Sequence, residues 1–161
     1  MKIPLASTGL SPQQIDDAIL VLRSGNLTMG SAVREFELAM ANYLKVEHFV
    51  MVNSGSSANL AMVEFLLRPT KGAPLLKPGD GVLVPAIAWP TTVWPLVQLG
   101  LTPRFVDIRR DTLAIDLEKA QQLVNDDRSV RAIFPIHPLG YGVPRKELES
   151  FSEANRLVLI N

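Results

Sequence analysis

The stretch VMVNSGSSANLAM, residues 50–62, changes from one kind of sequence to another within a few residues. An apolar, β-prone run at Phe49–Val52 meets a turn made of Asn, Ser and Gly. Beyond the turn the apolar residues follow a helical spacing that includes Leu60 and Val63. The stretch therefore predicts a buried strand over 48–53, then a turn, then a helix.

Strands and helices continue to alternate from this stretch to the end of the chain. We predict strands over 81–85, 103–108, 130–137 and 156–161, and helices over 91–100, 116–126 and 144–155. The strands are continuously apolar, which is typical of strands that are buried on both faces. The pattern therefore predicts an α/β fold with a mostly parallel sheet and helices on both faces.

Two helices precede the first predicted strand. Ser11 is a suitable N-cap for the first helix and Gly25 a suitable end to it, while Ser31 is a candidate N-cap for the second. We therefore assign residues 1–47 to an N-terminal helical segment and residues 48–161 to the first part of an α/β domain.

The composition narrows the classes of function. The chain has 161 residues and a formal net charge of zero, so no basic surplus favours nucleic acid or an anionic membrane. It has no Cys and only two His, too few for a thiolate or His-based metal site. No apolar run approaches the roughly 20 residues of a membrane helix. We expect a cytoplasmic protein without a metal, a nucleic-acid partner or a membrane partner.

The Ser-Gly turn lies at the carboxyl end of a predicted strand and opens a helix. Backbone N–H groups and the helix dipole favour an anion at such a place, and a phosphate group is the natural occupant. The alternative is that Ser54 or Ser57 merely caps the helix. The turn lacks the Gly-Lys-Ser/Thr of a P-loop and the GxGxxG of dinucleotide-binding folds.

Trp89 follows the next predicted strand, in the segment VPAIAWPTT. A Trp at a strand's carboxyl end can stack on a flat ring, although packing into the core is the alternative. Together, a phosphate-binding turn and an aromatic platform suggest a flat, phosphorylated, aromatic cofactor. Further along the predicted helix, Pro95 is expected to remove a hydrogen bond or cause a kink.

Four blocks of the sequence, in order and with matching spacing, resemble the DegT/StrS family of pyridoxal-phosphate-dependent sugar aminotransferases, which have fold type I. They are LTMGSAVREFELAMANYLKVEHFVMVNSGSSANL, LKPGDGVLVPAIAWPTTVWPLVQLGLTPRFVDI, DTLAID and IHPLGYGVP. The resemblance implies that the cofactor is pyridoxal 5'-phosphate. It also implies that Gly55, Ser56 and Ser57 bind the cofactor phosphate and that Trp89 stacks on the pyridine ring.

The same resemblance assigns further residues. Thr28 and Met29 match a loop that borders the substrate in relatives. Asp107 matches a family Asp that we interpret as structural, and His137 matches a His near the cofactor that we interpret as a core residue.

The resemblance identifies no catalytic residue within the chain. In the family, the Schiff-base Lys and the Asp that holds the pyridine nitrogen would both lie beyond Asn161. We therefore expect the chain to be the truncated N-terminal part of a longer enzyme and to be inactive alone.

Three functions stay open at this point. The first is an aminotransferase that uses glutamate to aminate a nucleotide-linked keto-sugar in polysaccharide biosynthesis, acting as a homodimer. The second is a family member that uses pyridoxamine phosphate to remove the 3-hydroxyl of a nucleotide-linked 4-keto-6-deoxy sugar. The segments NSGSSANL and PTT resemble this dehydrase group. The third is a truncated, non-catalytic binding module.

Overall fold

The computed structural model describes residues 9–69 and 72–161. The chain divides into two compact units, one ending at Val52 and the other running Asn53–Asn161. The boundary that we predicted between residues 47 and 48 stays a prediction.

The N-terminal unit contains two helices. Helix α1 spans Pro12–Ser24, and the Ser11 hydroxyl accepts a hydrogen bond from the Gln14 N–H, as its predicted capping role requires. Gly25 ends the helix at φ 68°, in the left-handed region that glycine occupies without steric cost. Both predicted ends of α1 are confirmed.

Helix α2 spans Ser31–Leu44, and its N-cap differs from the prediction. Gly30 is the N-cap, in an extended conformation, and Ser31 is the first helical residue. In the same unit, the rings of Phe36 and Phe49 meet edge to face with their centroids 5.8 Å apart.

The predicted strand over 48–53 is wrong. These residues form no strand, and Val50, Met51 and Val52 are exposed. A strand needs a hydrogen-bonded neighbour, and none of the described residues pairs with this segment. The Met51 N–H instead donates to the Glu37 carboxylate at 2.9 Å.

The second unit is built on one sheet of four parallel strands. The strands are β1 Gly81–Pro85, β2 Thr102–Val106, β3 Val130–Ile133 and β4 Val158–Leu159, and their spatial order is β2-β1-β3-β4. The helices of this unit are α3 Gly55–Leu67, α4 Pro90–Gln98, α5 Leu117–Asp126 and α6 Arg145–Asn155. A short 3-10 turn at Pro138–Gly140 precedes α6.

Two separate apolar cores lie on the two faces of this sheet. Val82 and Val84 point into one core, where they meet Val63 of α3 and Leu96 of α4. On the opposite face, Leu83 belongs to a second core, together with residues of α5 and α6 such as Ala120 and Leu148. The predicted parallel sheet with helices on both faces is thus confirmed.

The register between β1 and β3 is irregular at one residue of β3. Gly81 pairs with Val130, but Val82 pairs with Ala132, so Arg131 is an extra residue with no partner on β1. The extra residue reverses the alternation of side chains, because one added residue moves all later ones to the other face. Arg131 itself is exposed.

Strands β3 and β4 are shorter than the predicted 130–137 and 156–161. Phe134 still donates its N–H to the Leu83 carbonyl, but the next residue is Pro135, which has no N–H to give. The ladder between β3 and β4 therefore pairs only Ala132 and Ile133 with two residues of β4.

The longest described helix has 14 residues. Across 9–69 and 72–161, no helix combines the length and apolar character that crossing a membrane requires.

Candidate functional site

The order of the strands marks where a ligand would bind. From β1 the chain passes to β2 on one side and then to β3 on the other side of β1. The helix that follows β1, α4, packs on one face, whereas α6, which follows β3, packs on the opposite face. The connections therefore diverge at the carboxyl ends of β1 and β3, and open α/β sheets bind ligands in the crevice at such a switch point.

Three of the four strands are each followed by a residue that the family resemblance singled out. Trp89 follows β1, Asp107 follows β2 and His137 follows β3. Two of them, Trp89 and His137, therefore follow the two strands that flank the switch point.

The Ser-Gly turn forms the start of α3. Ser54 is the N-cap, and its hydroxyl accepts from the Ser57 N–H at 3.2 Å. The Ser57 hydroxyl donates in turn to the Asn53 side-chain oxygen at 2.6 Å. Part of the turn thus serves as a cap, which was the alternative interpretation of these serines.

The rest of the turn is open to an external group. The backbone N–H groups of Gly55 and Ser56 have no acceptor among the described residues. A Cβ placed on Gly55 would meet nothing within 4 Å, so the chain's own packing does not demand a glycine there. Two outward N–H groups at the positive end of a 13-residue helix are suitable donors for a phosphate. The donor set fits the phosphate of the predicted cofactor.

A cavity of about 510 Å³ lies between α3 and α4. Its lining comprises Ser56, Ser57, Leu60, Thr91, Trp94, Pro95 and Gln98. Trp94, rather than the predicted Trp89, therefore shares this cavity with the Ser-Gly turn. No sequence pattern pointed to Trp94, because its approach to α3 depends on how the two helices pack.

Trp89 is the N-cap residue of α4, and 75% of its surface is exposed. That exposure argues against the alternative of plain core packing for Trp89. Stacking of a ligand ring on Trp89 stays a prediction.

Pro95 interrupts the hydrogen bonding of α4, as predicted. A non-proline residue at this position would donate its N–H to the Thr91 carbonyl, four residues earlier. The Asn59 side-chain amide of α3 donates to that carbonyl instead, at 3.1 Å. No local sequence pattern points to Asn59, and Pro95 is the one residue whose presence indicates a need for such a donor.

Asp107 has a structural role, in agreement with the sequence interpretation. Its carboxylate accepts from the Lys119 ammonium at 2.6 Å and from the Ile108 N–H at 2.9 Å. The bond from Lys119, followed by that from Ile108, lowers the pKa of Asp107 below its ordinary value. The pair holds the end of β2 to the start of α5.

His137 is exposed and does not belong to the core, so our interpretation of it as a core residue is wrong. Its Nε2 lies 3.1 Å from the Asn161 side-chain oxygen. A Cβ on Gly142 would come within 1.9 Å of His137 Nδ1, so only glycine fits beneath the ring. The cause of the exposure is that β3 ends at Ile133, which leaves His137 in the loop beyond the sheet.

The loop predicted to border the substrate belongs to the N-terminal unit. Met29 is 92% exposed and has φ 50°, which is uncommon for a residue other than glycine. The substrate role of Thr28 and Met29 stays a prediction.

Comparison with known proteins places this architecture in a family. The model of the DegT/DnrJ/EryC1/StrS aminotransferase family matches residues 10–161. The chain is 39% identical over 140 residues to the GDP-4-keto-6-deoxy-D-mannose 3-dehydratase of Yersinia pseudotuberculosis, covering 87% of the chain and 35% of that enzyme. It is 27% identical over 158 residues to the UDP-4-amino-4-deoxy-L-arabinose–oxoglutarate aminotransferase of Shewanella sediminis, covering 98% of the chain and 38% of that enzyme.

A solved structure confirms the predicted fold type. The Escherichia coli GDP-4-keto-6-deoxy-D-mannose 3-dehydratase with bound hydrated pyridoxal phosphate aligns with a TM-score of 0.87 and 37% identity. The alignment covers 98% of this chain and 40% of that one. The chain thus spans well under half the length of the relatives that it matches. With the family model matched over nearly all of its length, the chain belongs to the DegT/DnrJ/EryC1/StrS aminotransferase family.

Proposed function

We propose that the chain is the cofactor-binding part of a pyridoxal-phosphate-dependent enzyme that removes the 3-hydroxyl of a nucleotide-linked 4-keto-6-deoxy sugar. The observation that carries this proposal is the 39% identity to a 3-dehydratase over 87% of the chain, against 27% identity to the aminotransferase. The main sequence-based prediction, an aminotransferase, becomes the second candidate.

The cofactor would supply an electron sink for breaking bonds next to the carbon that it activates. The residues of this chain would bind and orient it. The N–H groups of Gly55 and Ser56 would hold the phosphate, with Ser57 keeping the turn in shape through its bond to Asn53. Trp89 would limit the tilt of the ring by stacking, since it follows β1 at the switch point.

The aminotransferase alternative is supported by one of the relatives. The aminotransferase relative covers 98% of the chain, and its name couples a nucleotide-linked amino sugar with oxoglutarate. In both candidates the partners would be a nucleotide-linked sugar and glutamate as the amino donor. A two-fold homodimer and a cytoplasmic location are further proposals, and both rest on the family resemblance.

The test is to incubate the protein encoded by the complete reading frame with pyridoxal phosphate, glutamate and GDP-4-keto-6-deoxy-D-mannose. Mass spectrometry and NMR then identify the sugar nucleotide that forms. A product without the 3-hydroxyl supports the proposal, and a 4-amino sugar supports the aminotransferase instead. If neither product forms, the third possibility, a non-catalytic binding module, becomes the better description.

A further inference from the structure

The bond between Asn59 and the Thr91 carbonyl joins two elements of the candidate site. Asn59 lies in the second turn of α3, whose first turn carries the open N–H groups of Gly55 and Ser56. Thr91 lies in the first turn of α4, two residues after Trp89. The bond therefore connects the phosphate-binding turn with the segment that carries the aromatic platform.

No other side-chain hydrogen bond joins these two helices among the residues that the structure describes. Apolar packing also joins α3 and α4, and it includes Val63 and Leu96. Apolar packing is non-directional, so it brings helices together without fixing one backbone position against the other. A hydrogen bond to one chosen carbonyl fixes that position, because its strength falls steeply with distance and angle.

Pro95 makes the bond possible, since it leaves the Thr91 carbonyl without its helical partner. Pro95 is itself buried and lines the cavity between the helices. Without Asn59, a half-buried carbonyl beside that cavity would lose its hydrogen bond. The two residues thus act as a complementary pair.

We propose that Asn59 is a positioning residue that sets the distance between the phosphate-binding turn and the start of α4, using the carbonyl that Pro95 exposes. The inference rests on the cofactor site of the proposed function. It does not depend on which reaction follows.

The experiment compares two probes, because only one of them spans both helices. Pyridoxal phosphate would contact the turn and the aromatic platform together, whereas inorganic phosphate would contact the turn alone. Asn59→Ala should lower the affinity for pyridoxal phosphate about tenfold, as expected from the loss of one hydrogen bond. Its affinity for inorganic phosphate should change less than about twofold. Both affinities are measured by titration calorimetry under conditions in which circular dichroism shows each variant to be folded.

Asn155→Ala is the matched control. The Asn155 amide also joins two helices, donating from α6 to Gln121 of α5 at 2.8 Å, but on the opposite face of the sheet. It should lower the unfolding midpoint as Asn59→Ala does without changing the affinity for pyridoxal phosphate.

The Pro95→Ala background gives a second test through a double-mutant cycle. The alanine introduced there would supply its own N–H to the Thr91 carbonyl, so Asn59→Ala should then cost less than about threefold in affinity for pyridoxal phosphate. If Asn59→Ala does not fold, Asn59→Gln takes its place. It keeps the donor on a longer side chain, and we expect it to lower that affinity by less than Asn59→Ala would.

Equal losses for both probes would show that Asn59 acts on the phosphate-binding turn itself and not on its distance from α4, and would overturn the inference. An equal loss in the Asn155→Ala control would show a general effect of lost stability and would overturn it too. A wild-type chain that binds no pyridoxal phosphate would overturn it together with the cofactor assignment. A third outcome is that the protein has no 3-dehydratase activity but binds the cofactor, and that this binding depends on Asn59. That outcome would overturn only the proposed reaction.

Discussion

Trp89 and Trp94 are both candidates for the aromatic side chain that stacks on the pyridine ring, and substitution of each one distinguishes between them. Trp89 follows β1 at the switch point, whereas Trp94 lines the cavity beside Ser56. We expect Trp89→Ala to weaken binding of pyridoxal phosphate about 3- to 10-fold, the usual value of one aromatic contact. Trp94→Ala should stay within about twofold of wild type. Equilibrium dialysis measures both, and the reverse result would place the pyridine ring in the cavity between α3 and α4.

Asp127 should make the stability of the protein depend on acid pH. Bonds from Ser129, through its side chain and its N–H, and then one from Arg104, lower the pKa of Asp127 to about 2 from its ordinary 3.8. A carboxyl whose pKa is lower in the folded state stabilises that state above the unfolded pKa. Its contribution is therefore complete above about pH 4 and disappears as the pH falls through 2.

Urea unfolding of Asp127→Asn tests this dependence. The variant should unfold at lower urea than wild type at pH 7, and the difference should shrink between pH 4 and pH 2. Asp126→Asn removes the same charge one residue earlier and serves as the control, since no ion pair involves Asp126 in the described chain. A difference that stays constant down to pH 2 would contradict the assignment.

Local residue roles could be predicted from the sequence, whereas roles that depend on tertiary contacts could not. Ser11 caps its helix as predicted, because a cap bonds to backbone within three residues. Asn59 reaches a carbonyl 32 residues away, which no local pattern encodes. His137 was misassigned for the same reason, since its exposure depends on where β3 ends.

At the scale of elements, the start of α3 has two roles that substitution of Ser54 can separate. Ser54→Ala removes the cap on the Ser57 N–H and should cost about 1 kcal/mol of unfolding free energy. Ser54→Asp keeps an acceptor for that N–H, so stability should be retained. Its carboxylate would repel a bound anion, so the affinity for inorganic phosphate should fall. Denaturation and calorimetry test the two parts, and unchanged phosphate affinity in Ser54→Asp would argue that the turn is only a cap.

The strands show which elements the sequence could predict. Strand β1 has the predicted bounds, since five consecutive apolar or small residues are buried on both faces. The segment 48–53 has a similar composition and forms no strand. Composition describes whether a segment suits a strand, but only a neighbouring strand supplies the hydrogen bonds.

At the scale of the whole molecule, alternating strands and helices predicted the parallel sheet but not the order of its strands. The order β2-β1-β3-β4 is what creates the switch point between β1 and β3. It therefore explains why the strands that precede Trp89 and His137, two residues 48 positions apart in the numbering, are neighbours in the sheet. The sequence placed the candidate residues at strand ends, whereas the topology determines which ends are neighbours.

The distribution of lysines over the molecule leads to the last prediction, that this chain binds pyridoxal phosphate without a covalent bond. Four lysines are described: Lys45 ends α2, Lys77 precedes β1, Lys146 lies in α6 and Lys119 pairs with Asp107. Lys119, in α5, is the one whose ammonium contacts a residue at the carboxyl end of a strand, Asp107 after β2. Its bond to Asp107 raises its pKa, and a Schiff base requires a neutral amine, so Lys119 is a poor nucleophile. Borohydride reduction followed by peptide mass spectrometry should therefore find none of these four lysines labelled stoichiometrically, and dialysis should remove the cofactor. Lys119→Gln should bind the cofactor as wild type does. Stoichiometric labelling of one lysine, abolished in its Gln variant, would instead identify a covalent site within these 161 residues.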